Sequence, residues 1–142
     1  MASTPLILLP IDGSESSLRA AVYCANLAKA FGATVLVLNV QPEVEDWQTH
    51  GLGRDAAIGH LNDRARAALA AAQKVLAPTG VPHETLVEFG DAPDTIARIA
   101  ESRGCSQVVM GTRGQSELKS RLMGAVGMKV IHQVKVPVTF VH

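Results

Sequence analysis

The stretch SQVVMGTRGQSELKSRLMGAVGMKVIHQVKVPVTFV, residues 106–141, sets two short valine-rich runs on either side of a glycine-rich loop and a helical segment. The runs 106–111 and 136–141 are bounded by turn residues, which predicts two buried strands. The segment GMKVIHQV, residues 127–134, predicts a helix between them. Because parallel neighbours need a long crossover connection, this strand–helix–strand unit predicts two parallel strands in one sheet.

The same alternation of strand and helix extends through the rest of the chain. Strands are predicted at 5–12, 34–40 and 83–90, and helices at 14–33, about 54–76 and 91–104. Ser14 and Asp91 suit the starts of the first and third helices, and Gly32 suits the end of the first. The order βαβαβαβαβ predicts an α/β fold: a three-layer, doubly wound, five-stranded parallel sheet with helices on both faces.

The composition is that of a neutral, aliphatic chain. Of 142 residues, 47% are hydrophobic and only 4% aromatic, so the core must be built from aliphatic side chains. The 13 Lys and Arg residues balance 13 Asp and Glu residues, which leaves no overall field to attract nucleic acid or an anionic membrane. We therefore expect one domain, spanning 1–142, with neither nucleic acid nor a membrane as a partner.

Cysteine and histidine are placed without metal-ligand spacing. Cys24 and Cys105 form no CxxC motif, which predicts two buried, reduced thiols. No metal site is expected from the scattered histidines, which are His50, His60, His83, His132 and His142. The N-terminal apolar run in MASTPLILLPID is far shorter than the roughly 20 residues of a membrane span, and no basic segment precedes it. We expect a cytoplasmic protein.

Ligands of doubly wound sheets bind beyond the carboxyl ends of the strands, which makes four loops candidates for a ligand site: PIDGS (10–14), NVQPE (39–43), GDAPD (90–94) and 111–127. The loops PIDGS (10–14) and 111–127 combine glycine with charged or hydroxyl side chains. In the loop 111–127, glycines permit close backbone approach, and the helix that begins at 124–127 offers unpaired N–H groups to an anion. The alternative is a flexible connection whose basic residues, Arg113, Lys119 and Arg121, face solvent. Spacing alone does not choose between them.

The common phosphate-binding motifs are missing. GxxxxGK[ST] does not occur, and DGSESS stands after the first strand in place of GxGxxG. A Walker-type NTPase and an ordinary dinucleotide dehydrogenase are therefore not expected.

The spacing Gly111, two residues, Gly114, nine residues, Gly124 lies between VVMG and VPVTFV, and LLPIDGSESS opens the chain. Together these features resemble the signature of the universal stress protein family over essentially the whole sequence. The resemblance implies a Rossmann-like, adenine-nucleotide α-hydrolase-like fold. It also implies an adenine nucleotide, ATP or AMP, as ligand, with Mg²⁺ as an accompanying ion to be considered.

The resemblance further implies which residues contact the nucleotide. Pro10 and Ile11 would lie beside the base, Asp12 by the ribose, and the backbone of Val40 at the adenine edge. The ribose and phosphates would be met by Met110, Gly111, Arg113 and Gly114, and by N–H groups of Gly124, Ala125 and Val126. The alternative for Asp12 is a turn residue that hydrogen-bonds its own loop.

One departure from the family pattern bears on affinity. ATP-binding members usually carry Ser or Thr after the third glycine and often a hydroxyl two residues on, where this chain has Ala125 and Gly127. Loss of one hydroxyl bond to a charged phosphate costs about 1.5–3 kcal/mol, or about 10- to 150-fold in affinity. Weak or AMP-preferring binding is consistent with this departure.

Three functions follow for comparison. The leading one is a stress-response regulatory protein that binds ATP or AMP and acts through its conformation or its partners. The first rival is a nucleotide-free dimeric interaction module of the same family, which Ala125 and Gly127 favour. The second is an enzyme of the α-hydrolase branch, although DGSESS lacks that branch's repeated glycines. We do not expect an enzyme beyond slow ATP hydrolysis or autophosphorylation at Ser14, Ser116 or Ser120.

Other residues have alternative interpretations. Val136, Val138 and Phe140 share one face of a final strand that begins beside Pro137, which suits a sheet edge. The resemblance implies that a second copy covers this edge, forming a homodimer through 136–141.

Trp47 either covers the base as a lid or packs the long loop after the second strand. Asp91 and Asp94 are interpreted as helix-capping residues and not as a catalytic pair.

Overall fold

The computed structural model describes residues 3–45, 51, 53–112 and 124–142. Five strands alternate with four α-helices and one short 3₁₀ helix. Their bounds are β1 Leu6–Pro10, α1 Glu15–Phe31, β2 Thr34–Gln41, α2 Arg54–Leu76, the 3₁₀ helix Ala77–Thr79, β3 His83–Phe89, α3 Ala92–Ser102, β4 Gln107–Gly111, α4 Ala125–Gln133 and β5 Val138–Val141. The predicted α/β order is confirmed.

All strand pairs are parallel, and the sheet order is β3-β2-β1-β4-β5. The chain moves outward from β1 to β3 on one side and from β4 to β5 on the other. The order therefore reverses between β1 and β4, which opens a crevice at the carboxyl ends of these strands. β5 is an edge strand, as its sequence predicts.

The sheet separates two hydrophobic layers. Ile7 and Leu9 of β1 pack with α1 and α2, whereas Leu8 packs with α3 and α4, because successive side chains of a strand point to opposite faces. α1 contributes mainly small side chains to the first layer, which brings the helix close to the sheet. Its buried alanines are Ala20, Ala21, Ala25 and Ala28.

Local capping signals define several helix ends as predicted. The Ser17 N–H donates to Ser14 Oγ at 3.2 Å, and the Asp94 N–H donates to Asp91 Oδ2 at 3.2 Å. Gly32 ends α1 with φ of 64°, a left-handed conformation that glycine adopts without strain. The predicted capping role of Asp91 is therefore confirmed.

Among the predicted boundaries that differ from the structure, the starts of α4 and β5 bear on the site and the sheet edge. α4 begins at Ala125, two residues before the predicted start, since Gly124 already has the extended conformation of an N-cap. β5 begins at Val138 and not at Val136; Pro137 lacks an N–H and contributes only its carbonyl, which accepts from the Val108 N–H at 2.9 Å.

Both thiols are buried, as predicted. Burial raises the pKa of the Cys24 thiol from its ordinary 9.0 to about 12. Burial also raises the pKa of Cys105, against an opposing effect of the Arg103 charge. Within the described ranges, no helix is long and apolar enough to cross a membrane.

Candidate functional site

An open pocket of about 610 Å³ lies at the carboxyl edge of the sheet, where the strand order reverses. The ends of β1, β2 and β4 form its floor, and the starts of α1, α3 and α4 and one face of α2 surround it. Eight residues that the resemblance assigned to the nucleotide line this pocket: Pro10, Ile11, Asp12, Val40, Met110, Gly111, Gly124 and Val126. Ala125 is exposed beside them but does not line the pocket.

The remaining predictions for this region fall on residues outside the described ranges. They concern Arg113, Gly114, Ser116, Lys119, Ser120, Arg121, Trp47 and His50.

Asp12 has a structural role at the mouth of the pocket. The Ser14 N–H donates to Asp12 Oδ1 at 2.9 Å, and Gly13 between them has φ of 85°. Asp12 is thus the turn residue of the alternative interpretation, and it also lines the pocket. The turn holds its carboxylate at the rim, next to the first turn of α1.

Close packing between β4 and α1 leaves no room for a side chain at Gly111. A Cβ atom on Gly111 would lie 2.5 Å from Ser16 Oγ and 2.8 Å from Ser17 N. These separations are far shorter than van der Waals contact, so a side chain at position 111 would force β4 and α1 apart. The glycine therefore has a structural reason that is independent of any ligand.

The start of α4 faces the pocket with backbone donors. The Gly124 N–H donates to the Thr112 carbonyl at 2.6 Å, so the prediction that this amide is a free donor is wrong. Gly124 supplies no side-chain cap, and the N–H groups of Val126 and Gly127 have no hydrogen bond to the described part of the chain. With the positive end of the helix dipole, these two amides suit an anion.

A buried polar ladder joins β1 and β2 below the pocket. The Asn39 side-chain Nδ2 donates to the Ile11 carbonyl at 2.7 Å, and Gln41 Nε2 donates to Asn39 Oδ1 at 2.8 Å. Asn39 is 2% exposed and Gln41 5% exposed, although both line the pocket. Sequence reasoning missed this ladder. Its signal is a pair of amides at alternate positions of an otherwise apolar strand, which places both on one face.

Two buried polar atoms of the pocket wall lack partners. Across the described residues, Gln41 Oε1 and Thr112 Oγ1 are the buried side-chain oxygens or nitrogens without a hydrogen bond. Both residues line the pocket. An unpaired buried polar atom costs about 1–3 kcal/mol, which a ligand group can recover by bonding to it.

The α2 wall of the pocket is mainly small and apolar. Ala67, Ala68 and Ala71 lie along one face of the helix, and Arg64 lies one turn earlier at the exposed rim. No ion pair joins Arg64 to another described residue. Sequence reasoning also missed Arg64, because one basic residue in an Ala- and Arg-rich helix carries no signal of its own.

No metal centre is visible in the described ranges. They hold no group of three or more His, Cys, Asp or Glu side chains arranged to bind an ion. Among the described lining residues, Asp12 and Arg64 carry the formal charges.

Comparison with known proteins agrees with this architecture. A family model described as "Universal stress protein family" matches residues 5–142. A relative from Thermus aquaticus, "Universal stress protein in QAH/OAS sulfhydrylase 3'region", is 33% identical over 136 residues, covering 95% of this chain and 96% of the relative.

Solved structures share the fold. The universal stress protein UspA from Lactobacillus plantarum has a TM-score of 0.84 at 20% identity, covering 100% of each chain, which shows the fold alone. A universal stress protein in complex with cAMP has a TM-score of 0.73 at 25% identity, covering 99% of each chain. The match to the family model extends over nearly the whole sequence, and this chain belongs to the universal stress protein family.

Proposed function

We propose that this protein is a stress-response regulator that binds an adenine nucleotide in the pocket at the carboxyl ends of its strands. The stress-response role is a property of the family. The observation that carries the proposal is one pocket with backbone donors at one end, from Val126 and Gly127, and apolar walls with buried amides at the other. This division suits a molecule with an anionic tail and a flat heterocycle.

The nucleotide's phosphate is assigned to the start of α4. The amides of Val126 and Gly127 lie at the positive end of the helix dipole. Thr112 Oγ1, on the same side of the pocket, is a hydroxyl without a partner among the described residues, and it can donate. We extend the assignment to Arg113 and Gly114, which follow Thr112 in the sequence, on the family pattern.

The base is assigned to the other end of the pocket. Pro10, Ile11 and Val40 lie there at the ends of β1 and β2, and the alanine face of α2 forms one wall. The universal stress protein solved with cAMP supports an adenine ring as the ligand class for this fold. Asp12 at the mouth of the pocket would then lie between base and phosphate, by the ribose.

The choice between ATP and AMP depends on the phosphate end. Ala125 and Gly127 provide no hydroxyl there, so the proposal assigns modest affinity and no strong preference for a triphosphate. Mg²⁺ enters only with a polyphosphate, because Asp12 is the one carboxylate among the described lining residues and Mg²⁺ sites of this kind rely on substrate phosphates. Because ATP and AMP are cytoplasmic metabolites, the proposal assigns the protein to that compartment.

The homodimer is part of the same proposal. β5 is an edge strand, and its bonds to β4 use the carbonyls of Pro137 and Val141, which accept from Val108 and Thr112. In a parallel ladder this leaves the N–H groups of Val138 and Phe140 directed outward, where an antiparallel copy of β5 would pair with them. Thr139→Lys adds a charge to this edge. Sedimentation should then change from dimer to monomer.

Binding is tested by calorimetry with ATP, AMP and cAMP, together with extraction of the purified protein to detect co-purified nucleotide. Micromolar to millimolar binding at one site per chain supports the proposal. If no adenine nucleotide binds and none co-purifies while the protein remains dimeric, the nucleotide-free interaction module becomes the better assignment. Release of pyrophosphate from ATP would instead favour the α-hydrolase enzyme.

A further inference from the structure

The ladder between β1 and β2 has a fixed direction of donation. The Ile11 carbonyl can only accept, so Asn39 must turn its NH₂ group toward it, at 2.7 Å. Asn39 Oδ1 then faces Gln41 and requires a donor, which is Gln41 Nε2 at 2.8 Å. The remaining polar atom of the Gln41 amide is therefore an acceptor. The Ile11 carbonyl, directly after β1, thus determines that Gln41 offers an oxygen and not an NH₂ group.

This acceptor is buried and lies in the pocket wall. Gln41 is 5% exposed, lines the pocket, and its Oε1 has no hydrogen bond to any described residue. Leaving such an oxygen without a donor costs about 1–3 kcal/mol, and a donor on a ligand can recover this cost. An N–H group of the ligand is the complementary partner.

Gln41 lies at the end of the pocket opposite to the anion-binding amides. α4 begins beside Thr112, directly after β4, whereas Gln41 ends β2, and β1 lies between these two strands. Two strand spacings separate the positions by about 10 Å. The pocket wall also includes Ala68 and Ala71 on the small, apolar face of α2, with Arg64 one turn earlier at the exposed rim. This end therefore suits the heterocycle and not the phosphate.

We propose that Gln41 Oε1 accepts a hydrogen bond from the exocyclic amine of the bound base, so that Gln41 is a specificity-determining residue, positioned by Asn39 and Ile11. The inference rests on the proposed function, that the ligand is an adenine nucleotide. It predicts selection against a purine nucleotide that lacks the amine.

The inference is tested by measuring the affinities of the wild-type protein and one variant for two nucleotides. AMP and purine riboside 5′-monophosphate differ by the 6-amino group. Gln41→Met keeps the length of the side chain while removing both its acceptor and its Nε2 donor to Asn39. We expect the wild-type protein to bind AMP about 10-fold or more tightly than the purine analogue. In Gln41→Met, the ratio of the AMP affinity to the analogue affinity should be smaller by about 5-fold or more. General loss of affinity in the variant cancels in the ratio.

Gln73→Met is the matched control, since Gln73 is exposed on α2 and does not line the pocket. The ratio of AMP affinity to analogue affinity in Gln73→Met should equal that of the wild-type protein. An unchanged ratio in folded Gln41→Met would overturn the inference while leaving nucleotide binding intact; absence of AMP binding to the wild-type protein would refute both. If Gln41→Met does not fold, a crystal structure of the wild-type protein with AMP decides: the amine must lie within about 3.2 Å of Gln41 Oε1.

Discussion

Gly111, the last residue of β4, lies against the first turn of α1 so closely that a Cβ atom on it would come within 2.5 Å of Ser16 Oγ. The carbonyl carbon of Ser16 would lie 2.8 Å away, so the contact involves backbone as well as a side chain. This approach brings the start of α1 and the end of β4 together at the point where the strand order reverses. Gly111, the first glycine of the family signature, therefore lets β4 and α1 pack together at the floor of the pocket.

Replacement of Gly111 by Ala should destabilise the protein by about 1–3 kcal/mol, because β4 and α1 must separate to admit the methyl group. Gly59→Ala is the matched control: Gly59 is exposed within α2, and a Cβ atom there meets nothing within 4 Å. We expect that control to stabilise the protein by about 0.5–1 kcal/mol, through the higher helix propensity of Ala. Urea unfolding monitored by circular dichroism measures both. Equal effects of the two substitutions would contradict the close contact.

The contrast between Gly111 and Ser14 explains how much the sequence could predict. Ser14, Gly32 and Asp91 act within one turn of chain, so their capping roles follow from neighbouring residues. The role of Gly111 depends on Ser16, a residue far away in the sequence, and only the packed fold reveals it. A glycine that serves packing and one that serves a ligand have the same sequence pattern.

The site shows the same division between local and distant effects. Its location follows from parallel strands and crossover connections, which the alternation of elements predicts. The hydrogen bonds from the Gly124 N–H to Thr112 and from Asn39 to Ile11 could not be predicted, because each joins residues that are distant in the sequence. The amides of Asn39 and Gln41 were nevertheless visible as polar residues in an apolar strand.

The ladder makes Asn39 important for stability. Asn39→Leu would leave the Ile11 carbonyl without its side-chain donor and Gln41 Nε2 without its acceptor, both in a buried site. We expect a loss of about 2–4 kcal/mol in the free energy of unfolding, as two polar groups lose partners. The control Asn26→Leu replaces an exposed amide on α1 and should change the stability by less than about 0.5 kcal/mol. A loss in Asn39→Leu no larger than in the control would show that water replaces the ladder.

The raised pKa of Cys24 predicts a pH dependence of stability. Burial raises the pKa of this thiol from 9.0 to about 12, so above pH 9 the unfolded chain loses a proton that the folded chain keeps. The folded state binds more protons in that range, and the free energy of unfolding must therefore fall as the pH rises. The slope is about 1.4 kcal/mol per pH unit between about pH 9 and pH 12, and no loss from this thiol occurs at lower pH.

Comparison of the wild-type protein with Cys24→Ala isolates this contribution. The variant should be less stable at neutral pH, since it loses buried atoms, but its stability should decline less steeply between about pH 9 and pH 11. Urea unfolding across this range gives both slopes. Parallel curves would mean that the thiol ionises equally in both states and that α1 opens to solvent at alkaline pH.

The last prediction concerns the phosphate end. Ala125 is the first residue of α4 and is exposed, so Ala125→Ser adds a hydroxyl beside the amides that we propose to bind the phosphate, without disturbing the core. A hydroxyl bond to a charged phosphate contributes about 1.5–3 kcal/mol, and we expect ATP affinity to rise by about 10-fold or more. Adenosine, which has no phosphate, should bind both proteins equally in calorimetry.

Ala70→Ser makes the same chemical change at an exposed position inside α2, away from the start of α4, and it should alter neither affinity. A gain for ATP alone would assign the phosphates to the start of α4, because the added hydroxyl can act only where the phosphates lie. Unchanged ATP affinity in Ala125→Ser would mean that the tail leaves the pocket by another route. The candidate cation for that route is Arg64 at the rim of α2, whose replacement by Ala should then reduce ATP affinity more than adenosine affinity.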